Sequence, residues 1–410
     1  MNEPGALLSA RAWAWVRWAA ARIALLVLVL AVGVVALVMV TEGPYWYPSA
    51  PLRARLSVTE ALSAEATEGF ARAEGPRAFT FPQDHGPHPE FRTEWWYWTG
   101  NLYAGSGRHF GFQLTFFRTA LAPGAPARAS AWATNQVYLA HFALTDTRNE
   151  RFRSWARTSR AALGLAGATA EPFHVWLGDW DARAEPSAPL PLRLRAGEED
   201  VSVELWLDSA KAPVLQGERG YSRKGPEPGN ASYYYSFTRM PTRGTVRVRG
   251  ERLDVEGTAW MDREWSTSAL GKDLAGWDWF AVHLDDGREL MFYQLRRKAG
   301  GAAEWSAGVL VDARGGTRAL AAEDVRVETR GTWRSQRSGV AYPAGWRLTE
   351  LRSGLSLELE PRLADQELDV GARYWEGAVR VRGLEDGRTL TGSGYVELVG
   401  YGDRPAAVKR

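Results

Sequence analysis

Trp96-Tyr97-Trp98, followed by Gly107-Arg108-His109-Phe110-Gly111-Phe112-Gln113-Leu114, returns later in the chain as Trp277-Asp278-Trp279 followed by Gly287-Arg288-Glu289-Leu290-Met291-Phe292-Tyr293-Gln294-Leu295. Both stretches keep a Trp-x-Trp opening, a Gly-Arg turn and a Gln-Leu ending, with one inserted residue, and both read as hairpins. A second pair follows in the same order: Gly244-Thr245-Val246-Arg247-Val248-Arg249-Gly250 and Gly377-Ala378-Val379-Arg380-Val381-Arg382-Gly383. Each leads into a Gly-x-x-aromatic-x-acid strand, carrying Trp260 and Asp262 in one copy and Tyr395 and Glu397 in the other. An opening and a closing hairpin, each repeated once, predict a duplicated all-β unit whose first copy is longer through loops near 121–130 and 181–191.

Beyond about residue 80 the chain alternates apolar and polar residues in short runs broken by Gly, Pro and Asp, as at Val201 to Leu207, Thr245 to Val248 and Val379 to Val381. Antiparallel strands must hide their edges, and a unit of about eight to ten strands does so by closing into a barrel. Barrels of that size hold one small ligand, so each copy is expected to surround something apolar. The composition agrees, with 45% hydrophobic residues and 20 Trp, 14 Tyr and 14 Phe among 410 residues. The 50 basic and 48 acidic residues are scattered along the chain, which argues against nucleic acid as a partner. With no Cys, disulfides, thiolate metal sites, a cysteine nucleophile and a bacterial lipid anchor are all excluded.

Ile23 to Val40 runs eighteen residues without a charge or Pro, enough for a helix of about 27 Å, close to the hydrocarbon thickness of a bilayer. Arg11, Arg17 and Arg22 precede it and Glu42 follows, so the positive-inside rule leaves residues 1–22 in the cytoplasm. The expectation is a single-pass anchor at 23–40 in the inner membrane, a linker over 41–79, and two domains, 80–265 and 266–405, on the periplasmic side. A cleaved signal peptide is the competing reading, but the run is longer than a usual signal core and no small-x-small site closes it.

The stretch from Phe81 to Leu102, FPQDHGPHPEFRTEWWYWTGNL, resembles the signature of the AttH and carotenoid 1,2-hydratase (CrtC) family. Asn135 to Leu144, Ser232 to Ser236 and Gly257 to Trp265 are similar to further blocks of that family. The resemblance implies two tandem lipocalin-like barrels. It also implies two branches: one that hydrates acyclic carotenoids without a cofactor, and one that is exported and described as predicted secreted hydrolases, often encoded beside ABC-transporter permeases. The expected anchor sets this chain nearer the second branch.

Hydrating an isolated double bond needs a strong proton donor, aromatic faces for the cation, and an admitted water. Asp262 is the candidate acid: it shares a strand face with Trp260 by the period of two, and the resemblance implies an acid in this motif. Glu264 shares that face and is its candidate partner, while Arg263 points the other way; ion pairing that seals the domain junction is the alternative use of these charges. His141, among Tyr138 and Phe142, is a candidate proton shuttle or a satisfied core histidine. Trp96, Trp98, Tyr138, Tyr233, Tyr235, Trp260, Trp277 and Trp279 are the candidate ligand-binding rings. Glu94, next to Trp95, calls for a partner such as Arg92 or Arg118. His85 and His88 form an H-x-x-H better suited to a turn than to a metal, lacking a third ligand, and no metal site is expected. The absence of G-x-S-x-G, H-E-x-x-H and a phosphate-binding glycine loop speaks against a serine or zinc hydrolase.

Three functions fit these residues. One is a membrane-tethered carrier of a long apolar ligand, an isoprenoid or lipid. Another is a cofactor-independent hydro-lyase that uses Asp262, and the third is an accessory component of an ABC exporter whose permease the helix would contact.

Overall fold

The computed structural model describes residues 15, 17, 18, 22, 67–124, 130–185, 190–268 and 270–402. The expected anchor over 23–40 lies outside them; among the described residues no helix is long and apolar enough to cross a membrane.

Residues from 93 onward form two antiparallel sheets of thirteen and ten strands. In chain order the first contains β1 (Thr93–Ala104), β2 (His109–Ala120), β3 (Gln136–Asp146), β4 (Arg151–Arg160), β5 (Ala166–Ala170), β6 (Phe173–Leu177), β7 (Trp180–Ala184), β8 (Leu192–Glu198), β9 (Val201–Leu207), β10 (Val214–Leu215), β11 (Tyr221–Arg223), β12 (Ala231–Val248) and β13 (Glu251–Ser266). The rest of the chain adds β14 (Leu274–Leu284), β15 (Glu289–Arg297), β16 (Ala307–Val311), β17 (Thr317–Leu320), β18 (Val325–Thr329), β19 (Thr332–Arg334), β20 (Ala341–Pro343), β21 (Trp346–Glu350), β22 (Ser356–Pro361), β23 (Glu367–Asp369), β24 (Arg373–Glu385) and β25 (Arg388–Val399). Strands β19 and β20 pair with each other apart from the sheets.

Each sheet curls so that its first long strand pairs with its last, β1 with β13 and β14 with β25. The remaining strands follow as an up-and-down meander, and the ladder is broken once per copy, after β4 and after β17. Arg157 of β4 reaches over the first break to Asp179 and Glu198 and lies 4.4 Å above the Trp180 ring. The path β4-β3-β2-β1-β13-β12-β9-β8-β7 matches β17-β16-β15-β14-β25-β24-β22-β21-β18 step for step, so the chain is a pair of nearly closed barrels built from one repeated plan.

The register corrects two details of the repeat. Tyr97 stands opposite Asp262, and Trp279 stands opposite Glu397. Trp277-Asp278-Trp279 therefore corresponds to Trp95-Trp96-Tyr97, one residue away from the Trp-x-Trp match. From these rings to the Gly-Arg turn the two hairpins differ in length by two residues, which preserves the alternation of faces; a difference of one would turn every side chain to the other side of the sheet. The closing blocks are offset further: opposite Asp262 is Ser236, eight residues before Gly244, whereas opposite Glu397 is Glu376, one residue before Gly377, so the two glycine-bounded blocks do not occupy equivalent places.

The barrel interiors are filled by their own side chains, unlike the hollow barrels expected from strand number. Trp96, Trp98, Phe112, Phe116, Trp180 and Tyr235 are among the buried residues of the first, and Phe280, Phe292, Trp346 and Trp375 of the second. A void of about 60 Å3 remains beside His85, Phe173 and Met261.

The turn residues 81–92 cap the first barrel and are held there by charge. Glu94, completely buried, pairs with Arg118 and Arg263 and accepts from the His88 backbone N–H at 3.1 Å. Arg118 also donates to the carbonyls of His88 (2.9 Å) and Phe91 (2.7 Å). The His88 ring stacks on Trp265 at 3.8 Å and its Nε2 meets Asp84 at 3.0 Å. Burial works against the ionised Glu94, yet the two guanidiniums hold its pKa far below the usual carboxylate range. Glu94→Gln leaves two buried guanidiniums short of their counter-charge and is expected to cost about 3–5 kcal/mol in urea unfolding. A loss under about 1 kcal/mol, the size of an exposed pair, would show that the cap is held by packing alone.

Candidate functional site

Alternation along each strand sends one set of side chains into a barrel and the other outward. On β1, β13, β14 and β25 the outward sets of the two copies meet in a buried seam. Tyr97, Tyr234 and Trp260 from the first copy pack there with Trp279, Met291, Tyr293 and Tyr395 from the second. The backbones come close: a Cβ on Gly111 would lie 2.6 Å from Cβ of Ala378. Gly257 and Gly392, each five residues before the strand's acid, occupy equivalent positions where a Cβ would run into a neighbouring carbonyl, of Asn101 or of His283. Hydrogen bonds cross the seam from Tyr97 Oη to Glu376 Oε1 (2.7 Å), from Asn101 Nδ2 to the Gly394 carbonyl (3.1 Å) and from Thr145 Oγ1 to Gln366 Oε1 (2.8 Å).

Inside the seam is a cavity of about 90 Å3. Asp262 and Glu264 line it from the first copy and Glu397 from the second, with the rings of Tyr97, Tyr234, Trp279 and Tyr293 between them. Trp95, Phe117 and Trp277 also line it and are only partly buried, so the cavity opens among these rings.

Asp262 is 4% exposed and accepts three hydrogen bonds: from Tyr234 Oη at 2.6 Å, from Ser236 Oγ at 2.5 Å and from Trp260 Nε1 at 2.7 Å. Burial nevertheless pushes its pKa up to about 7 against those three donors, with the negative charge of Glu264 adding a lesser push. The like-charge partnership expected of Glu264 is thus present and secondary to desolvation. Glu264 itself is held by Ser232 Oγ and by Lys224 Nζ at 3.4 Å, and that ammonium lies 3.9 Å from the Tyr293 ring. Burial disfavours the Lys224 charge, but Glu264 and Tyr293 outweigh it and its pKa rises.

The second wall repeats the theme. Burial raises Glu397 to about 7 against a hydrogen bond from Trp277 Nε1 at 2.9 Å, and the charges of Asp262 and Glu264 push the same way. Glu376, directly across the strand pair from Glu397, is driven well above the ordinary range by burial and then by that neighbour. Two facing carboxyls in so dry a place cannot both ionise.

The expected site residues divide by face. Asp262, Glu264, Trp260, Trp277 and Trp279 come together in the seam. Trp96, Trp98, Tyr138, Tyr233 and Tyr235 point into the first barrel and do not reach the cavity. His141 is fully buried one layer behind Phe117, with Nδ1 at 2.7 Å from Tyr374 Oη. Burial pushes it down to about 3, so its ring is neutral. Glu397, Glu376, Tyr97, Tyr234 and Lys224 were not among the expected residues. Glu397 was within reach as the counterpart of Asp262 in the repeat, whereas Tyr234 was not, since only the strand register places Ser236, on its face, opposite Asp262. Lys224 comes from a loop and carries no comparable signal.

The AttH-like family model matches residues 72–401. The chain belongs to the AttH-like family. A crystal structure of a Nitrosomonas europaea protein described as an AttH is similar to this AttH-like chain at 38% identity and a TM-score of 0.71, over 81% of this chain and 100% of that one. Kievitone hydratase from Nectria haematococca shares the fold with a TM-score of 0.62 at 16% identity, over 81% and 98%. CghA, solved with Sch210972, shares it with a TM-score of 0.50 at 15% identity, over 84% and 98%. No functionally curated protein matches the chain.

Asp262 keeps its proton in the folded protein and loses it on unfolding above about pH 4. Its contribution to stability is therefore complete below that pH and is lost as pH rises through about 7. His85, His141 and His283, lowered by burial to about 4, 3 and 3, act in the opposite direction, so comparison with Asp262→Asn isolates the one group. Between pH 4 and 8 the variant should gain on wild type by up to roughly 4 kcal/mol in chemical denaturation; a difference that does not change with pH would mean that Asp262 ionises normally.

Proposed function

We propose that this AttH-like protein is a cofactor-independent acid–base enzyme of the hydro-lyase kind, adding water to one unsaturated end of an apolar molecule held between the barrels. The observation that carries this reading is Asp262, a buried carboxyl that holds its proton near neutrality within a cage of rings. Its O–H gives a proton to one alkene carbon and leaves a cation on the other, which the faces of Trp279, Tyr97 and Tyr234 stabilise. Water closes on the cation through oxygen, and its surplus proton passes to Glu397 on the opposite wall, whose carboxyl, raised like that of Asp262 to about 7, takes it in its ionised form. Tyr234, Ser236 and Trp260, all donating to Asp262, stabilise the carboxylate left behind.

The size of the cavity limits the substrate. At about 90 Å3 it is smaller than the roughly 150 Å3 of an apolar cavity that takes up benzene. A long isoprenoid or lipid would enter by one terminal group and lie along Trp95, Phe117 and Trp277 outside. The same rim supports a second reading, a carrier that holds the molecule without reacting it. On either reading the segment from 23 to 40 would tether the barrels to the inner membrane on its periplasmic side, where apolar substrates partition, and an ABC-type permease is the partner that such a helix would contact. That a hydratase is built on the same pair of barrels supports the reading by analogy of fold.

The test is to incubate the full chain, in detergent, with an acyclic carotenoid such as lycopene and to look by mass spectrometry for the gain of one water. Asp262→Asn is expected to slow product formation by about 10²–10⁴-fold, and the wild-type rate to fall above about pH 7 as the acid ionises. Undiminished turnover by Asp262→Asn would remove the acid from the mechanism. Tight retention of unaltered carotenoid by both proteins would favour the carrier.

A further inference from the structure

The seam does not end at the cavity. Thr99, Trp260, Ala281 and Tyr395, each no more than 2% exposed, close it one residue pair further along the four strands. Beyond that layer the barrels part into a cleft of about 1560 Å3, lined by Asn101 and Tyr103 from the first copy and by Arg362, Arg380 and Arg382 from the second. Counting along β13 from Asp262 to Thr258, at about 3.4 Å per residue, the cleft begins some 13 Å from the acid. It is a separate compartment.

Arg362 follows β22 directly, and its N–H bonds to the Ala378 carbonyl of β24. Arg380, two residues beyond Ala378, is thus its diagonal neighbour on the same face. Like charges so placed repel. Among the described residues neither guanidinium forms an ion pair, whereas in the same cleft Arg239 pairs with Glu289 and Arg382 with Glu360. Glu360 stands directly across from Arg380, yet its carboxylate lies 3.4 Å from Arg382. Arg362 is half-buried; its one hydrogen bond crosses to Tyr103 Oη of the first copy at 3.1 Å, and its Nε is buried without a partner. Behind Tyr103, at 5.0 Å between ring centres, His109 bonds Asn101 through Nε2 at 2.9 Å and keeps a buried, unpartnered Nδ1. Burial first, then repulsion from Arg362 and Arg380, lowers His109 to about 3, and Arg362 is lowered by burial, with Arg380 adding to the fall. Arg362, Arg380 and the His109 ring are thus gathered at a cleft whose own acids, Asp208, Asp254, Glu256 and Asp285, form no ion pair with either guanidinium.

We propose that this cleft binds a phosphate-bearing anion, held between the guanidiniums of Arg362 and Arg380. Two guanidiniums without an ion-pair partner match a doubly charged group better than a single carboxylate, and the planar guanidinium fork suits phosphate oxygens. The phosphate belongs either to a small soluble molecule or to a lipid headgroup.

Thermal unfolding of the full chain in nonionic detergent separates these sources. Inorganic phosphate, compared with chloride at equal ionic strength, should raise Tm in a saturable way. Dihexanoyl phosphatidic acid should do so too, and dihexanoyl phosphatidylcholine should not. Arg380→Gln, which removes a side chain that makes no hydrogen bond in the structure, should leave Tm in chloride unchanged or higher and weaken the phosphate response by roughly ten- to a hundredfold in concentration. Responses to both phosphate and phosphatidic acid assign a soluble phosphate chemistry; a response to phosphatidic acid alone assigns a headgroup. No response to either, or a wild-type response in Arg380→Gln, overturns the proposal. Asp262→Asn should respond as wild type does, so this result stands apart from the fate of the hydro-lyase reading.

Discussion

Asp262, Glu264, Glu376 and Glu397 share one buried seam with a single ammonium, Lys224. Desolvating so many carboxylates would cost far more than two barrels gain by meeting, unless protons stay on some of them. The proton on Asp262 is thus a condition of the packing, and the chemistry follows from it. Where Glu94 has two guanidiniums to itself, burial produces a permanently charged structural cap. Where Asp262 has only neutral donors, the same burial produces an acid. The difference lies in the company each carboxyl keeps.

The proposed site lies in the seam because the barrels leave it little room. Their interiors are occupied by tryptophan, phenylalanine and leucine, and the turn at 81–92 closes one end of the first barrel through the Glu94, Arg118 and Arg263 network. Largely filled by side chains, each barrel is a stiff wall, and site geometry is best held on rigid elements. All three acids that line the cavity sit on long closing strands whose neighbours on both sides are fixed by the ladder.

Much of this was legible in the sequence, and the limits are instructive. Alternation gave the strands, and the repeated blocks gave the duplication and the barrels, because both depend on local pattern. Asp262, Glu264 and Trp260 could be assigned to one face because parity along a single strand is local too. Which face looks inward is a tertiary fact. Trp96, Trp98, Tyr233 and Tyr235 look like a ligand cage in sequence and turn out to be core, whereas Tyr97 and Tyr234, their immediate neighbours, face the cavity. The Trp-x-Trp resemblance between the copies misled by one residue because it matched residue types and ignored the register. Lys224 and Glu376 enter through a loop and through the other copy, contacts that no spacing encodes.

Register also explains why a duplicated chain suits acid–base chemistry. The two copies pack through equivalent faces: Tyr97 and its counterpart Trp279 meet at 5.3 Å, and Asp262 and its counterpart Glu397 line the same cavity. That is the arrangement of an isologous dimer, in which identical patches face each other. In a true dimer of identical chains the two walls would have to carry the same groups and, in the symmetric state, the same affinity for protons. Joined in one chain, they are free to differ, and the groups around the acids do: the strand partner of Asp262 is Ser236, which donates a hydrogen bond to it, while that of Glu397 is Glu376, a carboxyl that burial and Glu397 hold well above the ordinary range. A donor beside one carboxyl and a second, proton-holding carboxyl beside the other make the walls chemically distinct while burial raises both acids to about 7, and a reaction that takes a proton from one side and returns it on the other calls for two acids so poised.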